Sequence, residues 1–216
     1  CALAMTSSMA AADSAMPESW SPERRYCCST SCTPPSSSPA DMSRLASAPP
    51  TNSGYQVMKA FDAGWGGAVW KTLGEPIVNV SSRLASIDHG AMRMIGLNNI
   101  ELITDRPLEV NLREVYECKK KYPNNAVIVS LMVESKREAW HEIVKRSQDT
   151  GCDGFELNFG CPHGMSERGM GAAMGQVPEY TCMVTEWVKE VSEIPVIVKL
   201  TPNITDIRKP AEAARR

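Results

Sequence analysis

The chain has 216 residues, of which 43% are hydrophobic and 22% charged, the composition of a globular protein with one domain or one domain and an appendage. Its net charge of −2 gives no electrostatic reason to expect a nucleic acid or an anionic membrane as a partner. No apolar run approaches the ~20 residues of a membrane-spanning helix, and the start lacks the pattern of a secretory signal. The sequence therefore predicts a cytoplasmic protein.

The first 43 residues differ in composition from the rest of the chain. They are rich in Ser, Pro and Ala and show neither the period of a strand nor that of a helix. Such a segment cannot bury enough apolar surface to offset its loss of conformational entropy. Residues 1–43 are therefore predicted to be a disordered or spurious head, and the chain, which opens on Cys1, is expected to be a piece of a longer protein.

Strand-like and helix-like segments alternate from Arg44 onward. The predicted strands are RLASA (44–48), GGAVWKT (66–72), AVIVSLM (126–132), GFELNF (154–159) and PVIVKL (195–200). The predicted helices span residues 53–65, 108–122, 135–151 and 177–193, and a further helix begins near residue 205. Ser135 is the predicted N-cap of the third helix, and Gly151 lies beyond its C-terminus.

The alternation predicts a parallel α/β sheet, because its strands are near-continuous apolar runs of the kind buried on both faces. No glycine-rich nucleotide fingerprint follows the first strand. Polar residues instead stand at the carboxyl ends of strands, as in the site of a (β/α)8 TIM-type barrel. A complete barrel takes ~250 residues. Residues 44–216 are therefore predicted to form an incomplete barrel with about five of the eight βα units.

Eight cysteines are scattered through the chain without a repeated C-x-x-C spacing. Neither a zinc site nor an iron–sulfur cluster is therefore predicted, and no metal ligands are assigned. Cys118 and Cys152, in or beside helices, are expected to be buried small hydrophobes.

Two lysines end apolar strands, Lys71 in GGAVWKT and Lys199 in PVIVKL. A lysine in a buried strand is costly unless an anion or an acceptor meets it. One such lysine is commonly a strand-end side chain that reaches solvent, but two at equivalent strand ends favour a shared anionic ligand. Asn158 either binds the edge of an amide-like heterocycle or caps the loop after its strand.

Cys161 follows a strand end and precedes Pro162 and a loop with four glycines. A thiol has an ordinary pKa of ~8.5, so it suits general acid–base or nucleophilic chemistry near neutral pH. His163, two residues later, is a candidate for orienting the thiol or exchanging protons with it. The long glycine-containing loop is expected to act as a lid over a substrate.

The stretch ELNFGCPHGMSERGMGAAMGQ (156–176) closely resembles the active-site loop of the dihydropyrimidine dehydrogenase family, in particular its FMN-containing bacterial NAD-dependent subunits. The resemblance extends through LASAPPT (45–51), residues 60–84, NNIELITDR (98–106) and VIVKLTPNITDI (196–207), and covers about residues 44–216. Dihydroorotate dehydrogenases share the barrel and the flavin, but their loops are less similar to this one.

The resemblance implies that FMN binds at the mouth of the barrel. Ser47, Lys71 and Thr72 should contact the flavin, and Lys199 should lie near its N1 and C2 carbonyl side, where negative charge collects on reduction. That position agrees with the argument from the two lysines. Iron–sulfur clusters are expected only outside this segment of the family's proteins.

The resemblance also implies the substrate and the chemistry. Flavin N5 delivers a hydride to C6 of uracil or thymine, and Cys161 acts as the general acid toward C5. The mammalian pattern has Ser immediately before this cysteine, whereas this chain has Gly160, as the bacterial pattern tolerates. The remaining site residues implied are His163 for catalysis and Asn99, Asn158, Phe159 and Gly160 for substrate binding.

The predicted function is therefore reduction of uracil or thymine to 5,6-dihydropyrimidines. Electrons are expected from NADH through a partner flavin/iron–sulfur subunit, because this chain carries no dinucleotide fingerprint. Two alternatives stay open, a dihydroorotate dehydrogenase-like enzyme and a catalytically silent fragment.

Overall fold

A computed structural model describes residues 9–11, 44–75, 84–97, 103–161 and 168–215. Its strands are β1 (Met9–Ala11), β2 (Arg44–Leu45), β3 (Gly67–Leu73), β4 (Leu84–His89), β5 (Met92–Leu97), β6 (Ala126–Leu131), β7 (Gly154–Phe159) and β8 (Val196–Leu200). Its α-helices are α1 (Gly54–Asp62), α2 (Leu108–Lys121), α3 (Arg137–Gln148), α4 (Ala172–Gly175), α5 (Pro178–Val191) and α6 (Arg208–Arg215), with a 3₁₀ helix at Pro49–Thr51. No helix in these ranges is long and apolar enough to cross a membrane.

Five strands form a parallel sheet in which spatial order follows chain order, β2-β3-β6-β7-β8. Helices lie between successive strands in the chain, as in a (β/α) barrel. The curled sheet corresponds to about half of such a barrel, which confirms the predicted fold class. Within residues 1–43 the structure describes only β1, which pairs antiparallel with β8 and was not predicted. The remaining head residues lie outside the described part of the chain.

The sheet has two faces, because successive side chains of a strand point to opposite sides. On the helix side, Trp70, Val129, Phe155 and Val198 belong to the main hydrophobic core with residues of α2, α3 and α5. On the opposite face, called the site side here, the alternate positions of β6, β7 and β8 carry Ser130, Glu156, Asn158 and Lys199. The same strands therefore separate an apolar core from a polar face.

A β-bulge in β3 adds one residue between Trp70 and Leu73. Trp70 pairs with Val129 and Leu73 with Leu131, so three steps along β3 match two along β6. Trp70 and Leu73 both lie in the helix-side core, whereas Thr72, which precedes Leu73, contacts Ser130 on the site side. The irregularity explains how two residues three positions apart can both face the core.

Local signals account for the ends of several helices. The Ser53 hydroxyl accepts a hydrogen bond from the Gln56 amide at the start of α1, and Pro178 opens α5, where its missing N–H costs nothing. Gly151, just beyond α3, has a positive φ of 76°, as expected after a helix C-terminus.

Two expectations for the secondary structure are wrong, and one pair of strands was not predicted. The first strand ends at Leu45 instead of continuing to residue 48. Ser135 is not the N-cap of α3, which begins at Arg137 after Lys136, because the Ser135 hydroxyl donates instead to the Gly169 carbonyl at 2.6 Å. The hairpin of β4 and β5 was not predicted.

Candidate active site

The polar side chains of the site side form one hydrogen-bonded cluster across the parallel strands. Thr72 Oγ1 lies 2.9 Å from Ser130 Oγ and 3.2 Å from Ser47 Oγ. Ser130 Oγ lies 2.8 Å from Glu156 Oε1, which also accepts from Lys199 Nζ at 2.8 Å. The cluster therefore joins residues that lie in or just after β2, β3, β6, β7 and β8, and we call it the strand-end cluster.

Asn158 attaches the strand-end cluster to the loop that carries the thiol. Its Nδ2 donates to Thr72 Oγ1 at 2.9 Å, and its Oδ1 accepts from the backbone amides of Gly160 at 3.3 Å and Cys161 at 3.2 Å. Asn158 thus caps the turn after β7, the second of the two roles that the sequence left open. Its second Nδ2 hydrogen has no acceptor among the described protein groups, so a ligand contact remains open to it.

Cys161 is half-buried just after β7, where its side chain packs against a small apolar cluster of Ile103, Met132 and Met170. Its carbonyl accepts from the Ala172 amide at 2.9 Å. Cys118 and Cys152, in contrast, are buried in the core. Burial raises the pKa of each of these two thiols to about 11. These two thiols remain protonated near neutral pH, as their prediction as buried hydrophobes implies.

Two glycines of the loop are required for close packing against the thiol-bearing strand end. A Cβ on Gly171, whose φ is +60°, would lie 2.5 Å from the Cys161 carbonyl oxygen, and one on Gly175 would lie 2.1 Å from the Phe159 oxygen. Both distances are far below normal contact. These two glycines therefore let the loop backbone approach the backbone of Phe159 and Cys161 closely. Residues 162–167 of the predicted lid lie outside the described residues.

The two strand-end lysines have different environments. Lys199 forms an ion pair with Glu156, and the Lys199 side chain remains 23% exposed against 5% for Glu156. Lys71 is 5% exposed as a residue. An acidic side chain of the protein itself therefore meets one of the two cations for which the sequence predicted a shared anionic ligand.

The structure brings together most of the predicted site residues that it describes. Phe159 differs, because its side chain is buried on the helix side with its ring 6.1 Å from that of Trp140. Asn99 and His163 lie outside the described residues.

Sequence reasoning missed Ser130 and Glu156. Each interrupts an otherwise apolar strand, and Glu156 precedes Asn158 by two residues, which is the spacing of one face. That signal was available in AVIVSLM and GFELNF. What the strands do not reveal separately is that the two side chains meet.

The chain resembles known proteins over its barrel-forming part. Residues 52–216 match the model of the family described as dihydroorotate dehydrogenase. The chloroplastic dihydropyrimidine dehydrogenase (NADP(+)) of Arabidopsis thaliana is 44% identical over 179 residues, covering 79% of this chain and 42% of that protein. The NAD-dependent dihydropyrimidine dehydrogenase subunit PreA of Escherichia coli K12 is 39% identical over 173 residues, covering 80% of this chain and 42% of PreA.

A more distant relative bears the name dihydroorotate dehydrogenase. The catalytic subunit of dihydroorotate dehydrogenase B (NAD(+)) from Pyrococcus abyssi is 34% identical over 160 residues, covering 73% of this chain and 49% of the subunit. The chain thus spans less than half the length of each of these three relatives. Because the family model matches residues 52–216, the chain belongs to the dihydroorotate dehydrogenase family.

Proposed function

We propose that this chain is part of an FMN-dependent dihydropyrimidine dehydrogenase that reduces uracil or thymine to the 5,6-dihydro forms. The observation that carries the proposal is the attachment of Cys161 to the strand-end cluster through Asn158, at the carboxyl ends of parallel strands. In barrels of this class the chemistry occurs at that end. The 44% and 39% identities to two proteins named dihydropyrimidine dehydrogenase support the choice of substrate.

The donors of the strand-end cluster fit the polar edge of a flavin. Lys199 has three N–H groups, of which the hydrogen bond to Glu156 uses one, and its side chain is still partly exposed. The remaining ammonium donors of Lys199 suit a ring edge with carbonyl oxygens and a nitrogen that gains negative charge on reduction. Ser47, Lys71, Thr72 and Lys199 would hold FMN there. When bound, FMN supplies the hydride that C6 of the pyrimidine receives.

The residues of the chain supply binding and the proton. The unused Nδ2 hydrogen of Asn158 would donate to a pyrimidine carbonyl, since the other polar positions of that amide are already engaged. The Cys161 thiol would donate its proton to C5, and in the opposite direction the thiolate would take that proton back. One hydride at C6 and one proton at C5 together saturate the 5,6 double bond. The electrons are proposed to come from NADH through a partner subunit.

A dihydroorotate dehydrogenase activity is the second candidate, favoured by the family match and by the 34% identical relative. The experiment that separates the two is performed on the flavin-loaded chain under anaerobic conditions. Dihydrouracil should bleach the flavin absorbance if the proposal is right, whereas bleaching by dihydroorotate alone supports the alternative. A protein that remains colourless after addition of FMN would support a catalytically silent fragment.

The role of the thiol is tested by Cys161→Ala in the same assay. We expect pyrimidine and flavin binding to persist while the rate of flavin oxidation by uracil falls about 10²–10⁴-fold, the usual effect of losing a general acid. Cys182→Ala is the matched control, because Cys182 is also partly exposed but lies on α5, away from the strand-end cluster. An unchanged rate in Cys161→Ala would remove this thiol from the mechanism.

A further inference from the structure

Glu156 is a buried carboxylate that the proposed chemistry does not use. It is 4% exposed and lies on the site side of β7, two residues before Asn158. Burying a carboxylate costs several kcal/mol unless charges and hydrogen bonds satisfy it. Here Lys199 and Ser130 both donate to its Oε1 at 2.8 Å. The arrangement determines the direction of every other hydrogen bond in the strand-end cluster.

The direction follows from the number of hydrogens that each group carries. An ionised carboxylate only accepts, so the single hydroxyl hydrogen of Ser130 points to Glu156. Ser130 then has no hydrogen left for Thr72, and the 2.9 Å contact between them requires Thr72 to donate to Ser130. Thr72 in turn has no hydrogen left, so its oxygen must accept from its other partners.

Those partners include the side-chain amide that holds the thiol-bearing loop. Since Thr72 accepts, Asn158 presents its Nδ2 to Thr72 and turns Oδ1 toward the amides of Gly160 and Cys161. The opposite orientation would place NH₂ against two N–H donors. The charge of Glu156 is thus linked, through Ser130 and Thr72, to the orientation of the Asn158 amide.

We infer that Glu156 and Ser130 are positioning residues, which orient Lys199 on one side and the Cys161 loop on the other through a one-way hydrogen-bond chain. Asn158 donates to Thr72, and Thr72 donates to Ser130. Ser130 and Lys199 then both donate to Glu156, where the chain ends. The inference rests on the proposed function for its relevance to catalysis. The chain of hydrogen bonds itself concerns only groups of this protein.

Removing Ser130 should release the Cys161 loop without touching it. In Ser130→Ala the Thr72 hydroxyl loses its acceptor and becomes free to rotate, so its hydrogen bond with Asn158 weakens and only the Gly160 and Cys161 amides still hold the Asn158 side chain. In Glu156→Gln a neutral amide replaces the carboxylate, so the oxygen that accepts from both Ser130 and Lys199 loses its charge and both hydrogen bonds weaken. Both changes should loosen the loop and expose the Cys161 thiol more often.

The test is the rate of iodoacetamide alkylation of Cys161 relative to Cys182 in the same folded, flavin-free molecule, measured by peptide mass spectrometry. We expect Ser130→Ala and Glu156→Gln each to raise this ratio about fivefold, the equivalent of losing one hydrogen bond of about 1 kcal/mol. Cys182 reports general loosening, because it lies on α5 outside the strand-end cluster.

Ser147→Ala is the matched control, because Ser147 is also completely buried but its hydroxyl has no hydrogen-bond partner. Its ratio should stay at the wild-type value. Ser130→Thr keeps the hydroxyl and should return the ratio toward the wild-type value. The inference would be overturned if Ser130→Ala and Glu156→Gln both gave the same alkylation ratio as Ser147→Ala. Because no flavin or pyrimidine is present, this result is independent of the bleaching assay that tests the proposed function.

Discussion

The two faces of the sheet are built from alternate residues of the same strands, yet different forces hold them. On the helix side, Trp70 and Phe155 are fully buried among apolar side chains. On the site side, Ser130 and Glu156 are also buried but bound to other polar groups. Burial therefore does not distinguish core from site in this molecule. What distinguishes the two faces is that each buried group on the site side needs a hydrogen-bond partner in a particular direction, whereas the apolar groups of the core do not.

A substitution in the apolar core on the helix side and a substitution among the hydrogen-bonded groups on the site side have different consequences. Apolar contacts are non-directional, so a lost methyl group costs in proportion to the area and the cavity left. A lost hydroxyl in the strand-end cluster leaves a partner without its hydrogen bond and releases the next group along. Three substitutions sharpen this comparison.

The largest effect is expected on the helix side. Phe155→Ala removes a fully buried aromatic ring from β7 and should lower the free energy of unfolding by about 3–5 kcal/mol. Urea denaturation followed by circular dichroism measures it. Tyr55→Ala on α1 is the control, because its side chain is 73% exposed and should change stability by less than about 0.5 kcal/mol. Equal effects of the two variants would contradict the assigned core.

A smaller effect is expected where the glycine loop meets the strand end. Gly171→Ala imposes a side chain at φ +60° and a Cβ 2.5 Å from the Cys161 carbonyl oxygen, and should cost about 1–3 kcal/mol. Gly151→Ala is the control: its φ is also positive, at +76°, but nothing lies within 4 Å of the new Cβ. Urea denaturation should show a greater loss of unfolding free energy for Gly171→Ala than for Gly151→Ala. Identical losses would mean that only backbone strain matters.

The smallest effect concerns an ion pair on the helix side. Arg106 Nη2 lies 2.5 Å from Glu114 Oε1. Glu114 Oε2 also accepts a hydrogen bond from the Gly54 amide at the start of α1, at 2.7 Å. The hydrogen bond from Arg106 holds the pKa of Glu114 below its ordinary value, although partial burial opposes this. The folded state therefore binds this proton less readily than the unfolded chain, and falling pH favours unfolding.

Glu114→Gln should accordingly lower the unfolding free energy by roughly 1 kcal/mol at neutral pH. The difference from the wild type should be complete above about pH 5, begin to shrink as the pH falls past the ordinary carboxyl pKa of ~4.3, and vanish only as the pH falls through the lowered pKa of Glu114 in the folded state. Glu117→Gln, an exposed change on the same helix, should show no such pH-dependent difference. Unfolding curves at several pH values decide the matter. A difference that persists in acid would assign the loss to packing.

Much of the fold could be predicted because its signals are local. Apolar runs bounded by polar segments located the strands β3, β6, β7 and β8, and the alternation with helices indicated a parallel sheet. The hairpin of β4 and β5 escaped because its described side chains are exposed, with Ile87 and Ile95 about as open as its polar residues, so no buried face imposes a period on the sequence.

The candidate site was predicted only in part. Strand-end position was enough to select Ser47, Thr72 and Lys199, since the carboxyl ends of parallel strands meet at one edge. It was not enough to place Phe159, whose side chain alternates to the helix side, or to recognise Ser135 as a partner of Gly169 instead of a helix cap.

By itself, the sequence determined the parallel α/β architecture, the family to which the loop belongs and the position of Cys161 just after a strand, because each depends on neighbouring residues or on a contiguous motif. Only the tertiary structure decided that Lys199 meets Glu156 and that Ser130 joins Glu156 to Thr72. Those contacts depend on strand register and on one β-bulge in β3. Register is set by the packing of the whole sheet, which no single strand encodes.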